Sequence, residues 1–125
     1  SALVGVVAQR MVRRVCSHCG KETPVPPMES VAYAREMGEE RSLFNQGPGC
    51  QACSDTGFQG RTGIFELLQV NDDIRELMLH RSDAASIRAR AIEDGMVPLV
   101  RDGMLKAGAG ITTPAEVLRN VMIAA

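Results

Sequence analysis

The first fifteen residues carry apolar side chains at the spacing of a helix. These side chains are Leu3, Val4, Val7, Met11, Val12 and Val15. Side chains three or four positions apart share one face of a helix, so the pattern predicts an amphipathic helix over residues 2–14. No capping residue precedes this helix, and we therefore expect the chain to be a piece of a longer protein.

The second half of the chain has the signals of one strand followed by several helices. Glycines that mark turns precede the predicted strand at residues 64–70. Helices are predicted over residues 72–80, 84–94 and 98–107, with Asn71, Ser82 and Pro98 at their starts. A last helix is predicted to begin at Thr113-Pro114-Ala115-Glu116, which has the pattern of a capping box. Their repeated Leu, Ile, Val and Met residues predict a helical core.

The strongest chemical signal is a pair of two-residue cysteine knuckles, Cys16/Cys19 and Cys50/Cys53, which contain all four cysteines of the chain. Two residues between cysteines let both sulfurs turn toward one point, and two such knuckles supply the four thiolates of a tetrahedral Zn²⁺ site. Four cysteines leave no open coordination position, so we expect the zinc to be structural.

Other uses of the four cysteines are weighed against zinc. Disulfides suit a secreted protein, and nothing in the sequence indicates secretion. A thioredoxin-type redox pair would not explain a second pair. Iron uses the same four ligands, and the sequence leaves it open. His18 lies inside the first knuckle and is expected to point away from the metal, while His80 is placed near a helix end, where positive charge is favourable.

The segment between the knuckles offers one short helix. Pro24, Pro26 and Pro27 argue against a regular element at the start of this segment. A helix is predicted over residues 28–37, and residues 39–49 are predicted to form a loop. Because residues 20–49 contain few large apolar side chains, we expect the metal to organise this segment.

Composition favours a mainly α fold over a sheet sandwich. Hydrophobic residues make up 45% of the chain and aromatic residues only 3%. No apolar run approaches the roughly 18 residues of a bilayer span, so we expect a cytoplasmic protein with no direct membrane span.

Charge is unevenly distributed along the chain. Residues 1–23 carry four basic side chains and one Glu (4 − 1 = +3), so the rest of a chain of net charge −1 carries −4. Because residues 24–125 are acidic and the chain has few aromatic side chains, we do not expect it to bind nucleic acid. The basic cluster of Arg10, Arg13 and Arg14 is interpreted as a solvated face, with an acidic partner or a phosphate as the alternative.

The chain has no sequence signature of catalysis. A phosphate-binding loop is absent, since Gly20-Lys21 is followed by Glu22 and Val15 occupies the position of the first glycine of that loop. No paired carboxylates or nucleophile–base set can be assembled. We therefore expect the chain by itself neither to bind nor to hydrolyse ATP.

A family resemblance rests on four motifs. They are AQRMVR at residues 8–13, the two cysteine knuckles, GFQGRTGIFELL at residues 57–68 and GITTPAEV at residues 110–117. Together they resemble the C-terminal part of the type II secretion and type IV pilus assembly ATPases, with Met11 and Phe65 as mild variations. The similarity extends from about residue 3 to residue 121.

The resemblance implies a division of the chain and a larger parent protein. Residues 1–15 would end the preceding RecA-like ATPase core, residues 16–57 would form the zinc lobe, and residues 58–125 would form a short strand and the helical subdomain. The parent would be a cytoplasmic homo-hexamer that uses ATP and Mg²⁺. It would drive protein transport or pilus assembly through an inner-membrane platform protein and other secretion components, and would be peripheral to that membrane through them. The alternative is a free-standing zinc-ribbon module that binds nucleic acid or protein.

Overall fold

The computed structural model describes residues 4–123 as a mixed α/β fold. In chain order the elements are β1 (Gly5–Val15), β2 (Lys21–Pro24), α1 (Pro27–Met37), β3 (Leu43–Gln46), a 3₁₀ turn (Gln51–Cys53), β4 (Phe58–Gln69), α2 (Asp72–Leu79), α3 (Ala84–Glu93), α4 (Leu99–Gly108) and α5 (Pro114–Ile123). β1 pairs with β4 and β2 pairs with β3, both antiparallel. The prediction of a mainly α fold is therefore wrong.

The first element is a strand and not the predicted helix. β1 pairs with β4 from Gly5 opposite Gln69 to Val15 opposite Phe58, whereas residues 2 and 3 of the predicted helix lie outside the described residues. β-branched valines suit a strand, and pairing with a segment more than 40 residues away overrides the local helical spacing. The same pairing makes β4 (Phe58–Gln69) begin before the strand that was predicted over residues 64–70.

The segment between the knuckles also contains a small sheet that the sequence did not predict. β2 pairs with β3 from Lys21 opposite Gln46 to Pro24 opposite Leu43. Pro24 is tolerated because it stands at the end of a short two-stranded ribbon, where a missing N–H costs little. The predicted loop over residues 39–49 is therefore wrong at residues 43–46, while the helix predicted over residues 28–37 is confirmed as α1.

The main core joins that segment to the C-terminal helices. Tyr33 of α1 and Phe44 of β3 meet edge to face at 4.9 Å between ring centroids. Both are buried together with Met104 and Ala107 of α4 and Val117 of α5. The segment between the knuckles thus shares an apolar core with the C-terminal helices, so apolar burial contributes to its order, and its dependence on a metal stays a prediction. A smaller cluster holds the β1–β4 ribbon on α4 through Val12, Ile64 and Leu99.

The C-terminal helices agree with the sequence predictions to within one or two residues. Asn71 caps α2, because its side chain accepts a hydrogen bond from the amide of Ile74. Asp83, and not Ser82, caps α3 by the same kind of contact. Among residues 4–123, no helix combines the length and the apolar character that crossing a membrane requires.

Candidate metal centre

The fold brings the four predicted ligands together. The Sγ atoms of Cys16, Cys19, Cys50 and Cys53 all lie within 4.8 Å of one another. The Sγ–Sγ distances are 3.8 Å for Cys16–Cys50, 3.9 Å for Cys19–Cys53 and 3.6 Å for Cys50–Cys53. A tetrahedral site with Zn–S bonds of about 2.3 Å has an S–S edge of about 3.8 Å. The cluster therefore has the dimensions of a tetrahedral thiolate site.

Two tight turns hold the sulfurs in place. In the first knuckle the amide of Gly20 donates to the carbonyl oxygen of Cys16 at 2.9 Å. In the second knuckle the 3₁₀ turn Gln51–Cys53 is followed by Ser54 and Asp55, which both have a positive φ. The first knuckle follows β1 directly and the second precedes β4, so the β1–β4 pairing brings the two knuckles face to face.

Glycines allow the close approach between the segments that flank the knuckles. Gly57 has φ +82°, and a Cβ at this position would overlap the carbonyl oxygen of Gly47. A Cβ at Gly47 would in turn lie 3.0 Å from the sulfur of Cys19. The carbonyl oxygen of Gly57 accepts a hydrogen bond from the amide of Cys16 at 2.9 Å. The backbone at Gly57 therefore fixes the position of one ligand directly.

The sulfurs differ in their electrostatic surroundings. Burial opposes ionisation of Cys53, but the amides of Gly57 and Cys50, each 3.2 Å from its sulfur, and the neighbouring thiols lower its pKa to about 6. Burial raises the pKa of Cys19 to about 12 against the effect of a backbone hydrogen bond from Gly49, and the three nearby thiols act in the same direction as burial. Backbone N–H donors to a ligand sulfur stabilise the thiolate form that binds metals.

The donor set fits a soft dication with tetrahedral preference. Four sulfur ligands select Zn²⁺ or iron and leave no position for a reacting water. All four cysteines are free thiols, and their sulfur separations far exceed the disulfide bond length of about 2.05 Å. His18 is exposed and does not belong to the group of possible metal ligands. His80 lies 3.7 Å from the carboxylate of Glu76 on the surface.

The sequence analysis missed a half-buried ion pair next to the first knuckle, in which Glu116 is buried and Arg13 is partly exposed. The carboxylate of Glu116 accepts hydrogen bonds from the backbone amide, Nε and Nη2 of Arg13 at 2.9, 3.1 and 2.9 Å. Burial opposes ionisation of Glu116, but the bonds from Arg13 and the charge of Arg119 lower the pKa of the carboxyl below its ordinary value. The capping-box pattern predicted one contact of Glu116, because the hydroxyl of Thr113 accepts a hydrogen bond from its amide. The pattern did not predict the pairing with Arg13.

Two further contacts tie the lobe between the knuckles to α4. The guanidinium of Arg41 donates to the carbonyl oxygens of Leu43 and Gly108, both at 2.9 Å. The side chain of Asn45 donates to the carbonyl oxygen of Gly110 at 2.8 Å. Together with the shared core, these bonds fix the lobe to the C-terminal helices at the carboxyl end of α4, where unpaired carbonyl groups attract donors.

The fold and the cluster define a small α/β protein in which four cysteine thiols form one group and the segment between the knuckles packs on a helical layer. The chain belongs to the family described as Type II/IV secretion system protein, which matches residues 1–119. Over 120 residues it is 41% identical to Type II secretion system protein E of Pectobacterium carotovorum subsp. carotovorum, covering 95% of this chain and 23% of that protein.

Pilus proteins are among the similar sequences as well. The chain is 42% identical to Type IV pilus assembly ATPase PilB of Thermus thermophilus over 123 residues, 98% of this chain and 14% of that protein. It is 31% identical to Type IV pilus assembly ATPase TfpB of Acinetobacter baylyi over 124 residues, 97% of this chain and 21% of that protein. The chain thus spans about a quarter or less of the length of these curated relatives.

Proposed function

We propose that this chain is the metal-binding C-terminal region of a secretion or pilus-assembly ATPase, and that Cys16, Cys19, Cys50 and Cys53 hold one structural Zn²⁺. The observation that carries the proposal is the grouping of all four sulfurs within 4.8 Å at tetrahedral spacing. When bound, the zinc supplies a cross-link between the two knuckles and no reaction chemistry, because its coordination is complete.

The longer protein is proposed to couple ATP hydrolysis to the assembly of pilus or pseudopilus subunits. Its relatives include a Type II secretion system protein E and a Type IV pilus assembly ATPase, which supports this assignment. We infer that it is a cytoplasmic homo-hexamer, peripheral to the inner membrane through a platform protein, and that ATP and Mg²⁺ bind outside this region. This region itself is proposed to be non-catalytic, since its sequence offers no phosphate loop.

The role of the metal lobe is proposed to be positioning the motor or docking it to secretion partners. The lobe is fixed to the C-terminal helices by Arg41, Asn45 and the shared Tyr33–Phe44 core. A rigid lobe of this kind can present a surface in a fixed orientation without changing the nucleotide site. Removal of the metal should therefore affect assembly more than ATP turnover.

The test separates these two activities in the full-length protein. Cys50→Ser removes one ligand, and Ser17→Ala, at an exposed position between two ligands, serves as the matched control. We expect Cys50→Ser to lose zinc, to keep ATP turnover and to lose pilus or secretion output, while Ser17→Ala behaves as wild type. Normal output from a zinc-free variant would refute the positioning role, as would loss of ATP turnover in step with output.

A free-standing zinc-ribbon module that binds nucleic acid or protein is the alternative. Its nucleic-acid form needs basic and aromatic surfaces, and the chain has one Tyr, three Phe and a net charge of −1. A DNA or RNA mobility shift that weakens with salt would favour the alternative. We expect no such shift.

A further inference from the structure

Three arginines from three different elements line one surface cavity. They are Arg13 on β1, Arg61 on β4 and Arg119 on α5, and the cavity measures about 380 Å³. The remaining lining residues are Met11, Val12, Glu116 and Asn120. This cavity lies next to the Arg13–Glu116 ion pair and contains none of the four cysteines.

The charges around this cavity do not balance. Arg13 and Arg61 are directly opposite each other in the β1–β4 register and so share one face of the ribbon, an arrangement of like charges that destabilises a sheet. Glu116 is the one carboxylate in the lining, and it is bonded to both Arg13 and Arg119. Three guanidinium groups against one carboxylate leave a net charge of +2 (3 − 1).

Arg61 is the arginine with unused binding capacity. Within residues 4–123 its side chain has no hydrogen bond or ion pair. Arg13, in contrast, uses its Nε and one Nη2 donor on Glu116. A guanidinium has five N–H donors in a planar fork, and this geometry matches the oxygens of a phosphate. Free donors, like-charge opposition and a net charge of +2 therefore coincide in one cavity.

We propose that the cavity binds a doubly charged phosphate group, with Arg61 as its principal ligand and Arg13 and Arg119 at its sides. A dianion would cancel the net charge of +2 and remove the repulsion between Arg13 and Arg61. Its source is either free phosphate or the headgroup of a lipid that bears a phosphate monoester. The site rests on the local charge arrangement and not on the function proposed above.

The test uses the zinc-loaded chain and two variants with the same change of charge. Arg61→Gln removes the principal ligand. Arg101→Gln is the matched control, because Arg101 is exposed on α4 and does not line the cavity. Inorganic phosphate is titrated at constant ionic strength against acetate, and the side-chain Nε–Hε resonances of the arginines are followed by NMR. Vesicles containing phosphatidic acid, with neutral vesicles as reference, test the lipid source.

The proposal predicts saturable shifts at Arg61 and Arg119 on addition of phosphate. Affinity should fall about tenfold in Arg61→Gln, as expected for losing a hydrogen-bonded charge, and stay unchanged in Arg101→Gln. If Arg61-dependent binding occurs with phosphatidic acid vesicles alone, the phosphate is a lipid headgroup. Non-saturable shifts, equal binding by both variants, or no binding to either probe would overturn the proposal.

Discussion

The ion pair between Arg13 and Glu116 is predicted to be one of the strongest polar contributions to the stability of this fold. Glu116→Gln removes the charge but keeps the size of the side chain. The carboxylate is 3% exposed and accepts three hydrogen bonds from Arg13. Removing one partner of a buried ion pair costs about 3–5 kcal/mol. Because the Arg13 side chain is 41% exposed and water can solvate it, we expect a loss of about 2 kcal/mol.

Urea denaturation of the zinc-loaded chain measures this loss. With an m-value of about 1.5 kcal/mol/M, the urea midpoint should fall by about 1.3 M. Glu76→Gln is the control, because Glu76 is exposed and its ion pair is with His80 on the surface, and it should change stability by less than about 0.5 kcal/mol. A Glu116→Gln variant as stable as the control would show that the ion pair contributes nothing measurable.

The pH dependence gives the same prediction a definite sign. The folded-state pKa of Glu116 lies below the ordinary value of 4.5, so the charged carboxylate stabilises the fold fully above that value. As pH falls through the lowered pKa, the contribution is lost. The difference in midpoint between wild type and Glu116→Gln should therefore be largest near neutral pH and shrink below 4.5. A difference that grows toward acid would contradict the reasoning.

Three further predictions concern the knuckles and α4. In Cys50→Ser, hydrogen exchange should accelerate at the amides of residues 47–57. The amides of α4 should keep their protection, because the Tyr33–Phe44 core persists. An equal loss of protection in both regions would mean that they unfold as one cooperative unit. Gly57→Ala should lower the free energy of unfolding, measured by thermal denaturation, by at least about 2 kcal/mol. The control Gly95→Ala should lower it by about 1 kcal/mol, because the added Cβ has open space there. Glu66→Gln should lower the free energy of unfolding in urea by about 1–2 kcal/mol, because Glu66 accepts a hydrogen bond from the amide at the start of α4 and pairs with Arg88. An unchanged free energy of unfolding would exclude that capping role.

The sequence predicted which cysteines lie together better than it predicted the fold. The spacing within each knuckle is a local constraint, so the four candidate ligands follow from the order of residues alone. The C-terminal helices follow from local signals too, such as Asn71 at the start of α2. These features depend on residues a few positions apart, and periodicity is informative at that range.

The features that the sequence did not predict depend on distant partners. In β1 the side chain of Val12 is buried, whereas those of Val7 and Met11 are exposed. The alternation of apolar and polar positions along this strand is therefore weak, and its valines also fit a helical spacing. Its strand character comes from β4, some 50 residues further on. Arg13 and Glu116 are 103 positions apart, and no spacing rule connects them. The β2–β3 ribbon was hidden by its three nearby prolines.

Metal content is the most direct test of the central claim. The chain is purified without added metal, and zinc and iron are quantified by elemental mass spectrometry together with a thiol titration of the native protein. The account predicts one zinc per chain, four thiols protected from the reagent, and no zinc in a variant with all four cysteines changed to Ser. Iron in place of zinc, or a metal-free chain with four titratable thiols, would contradict it.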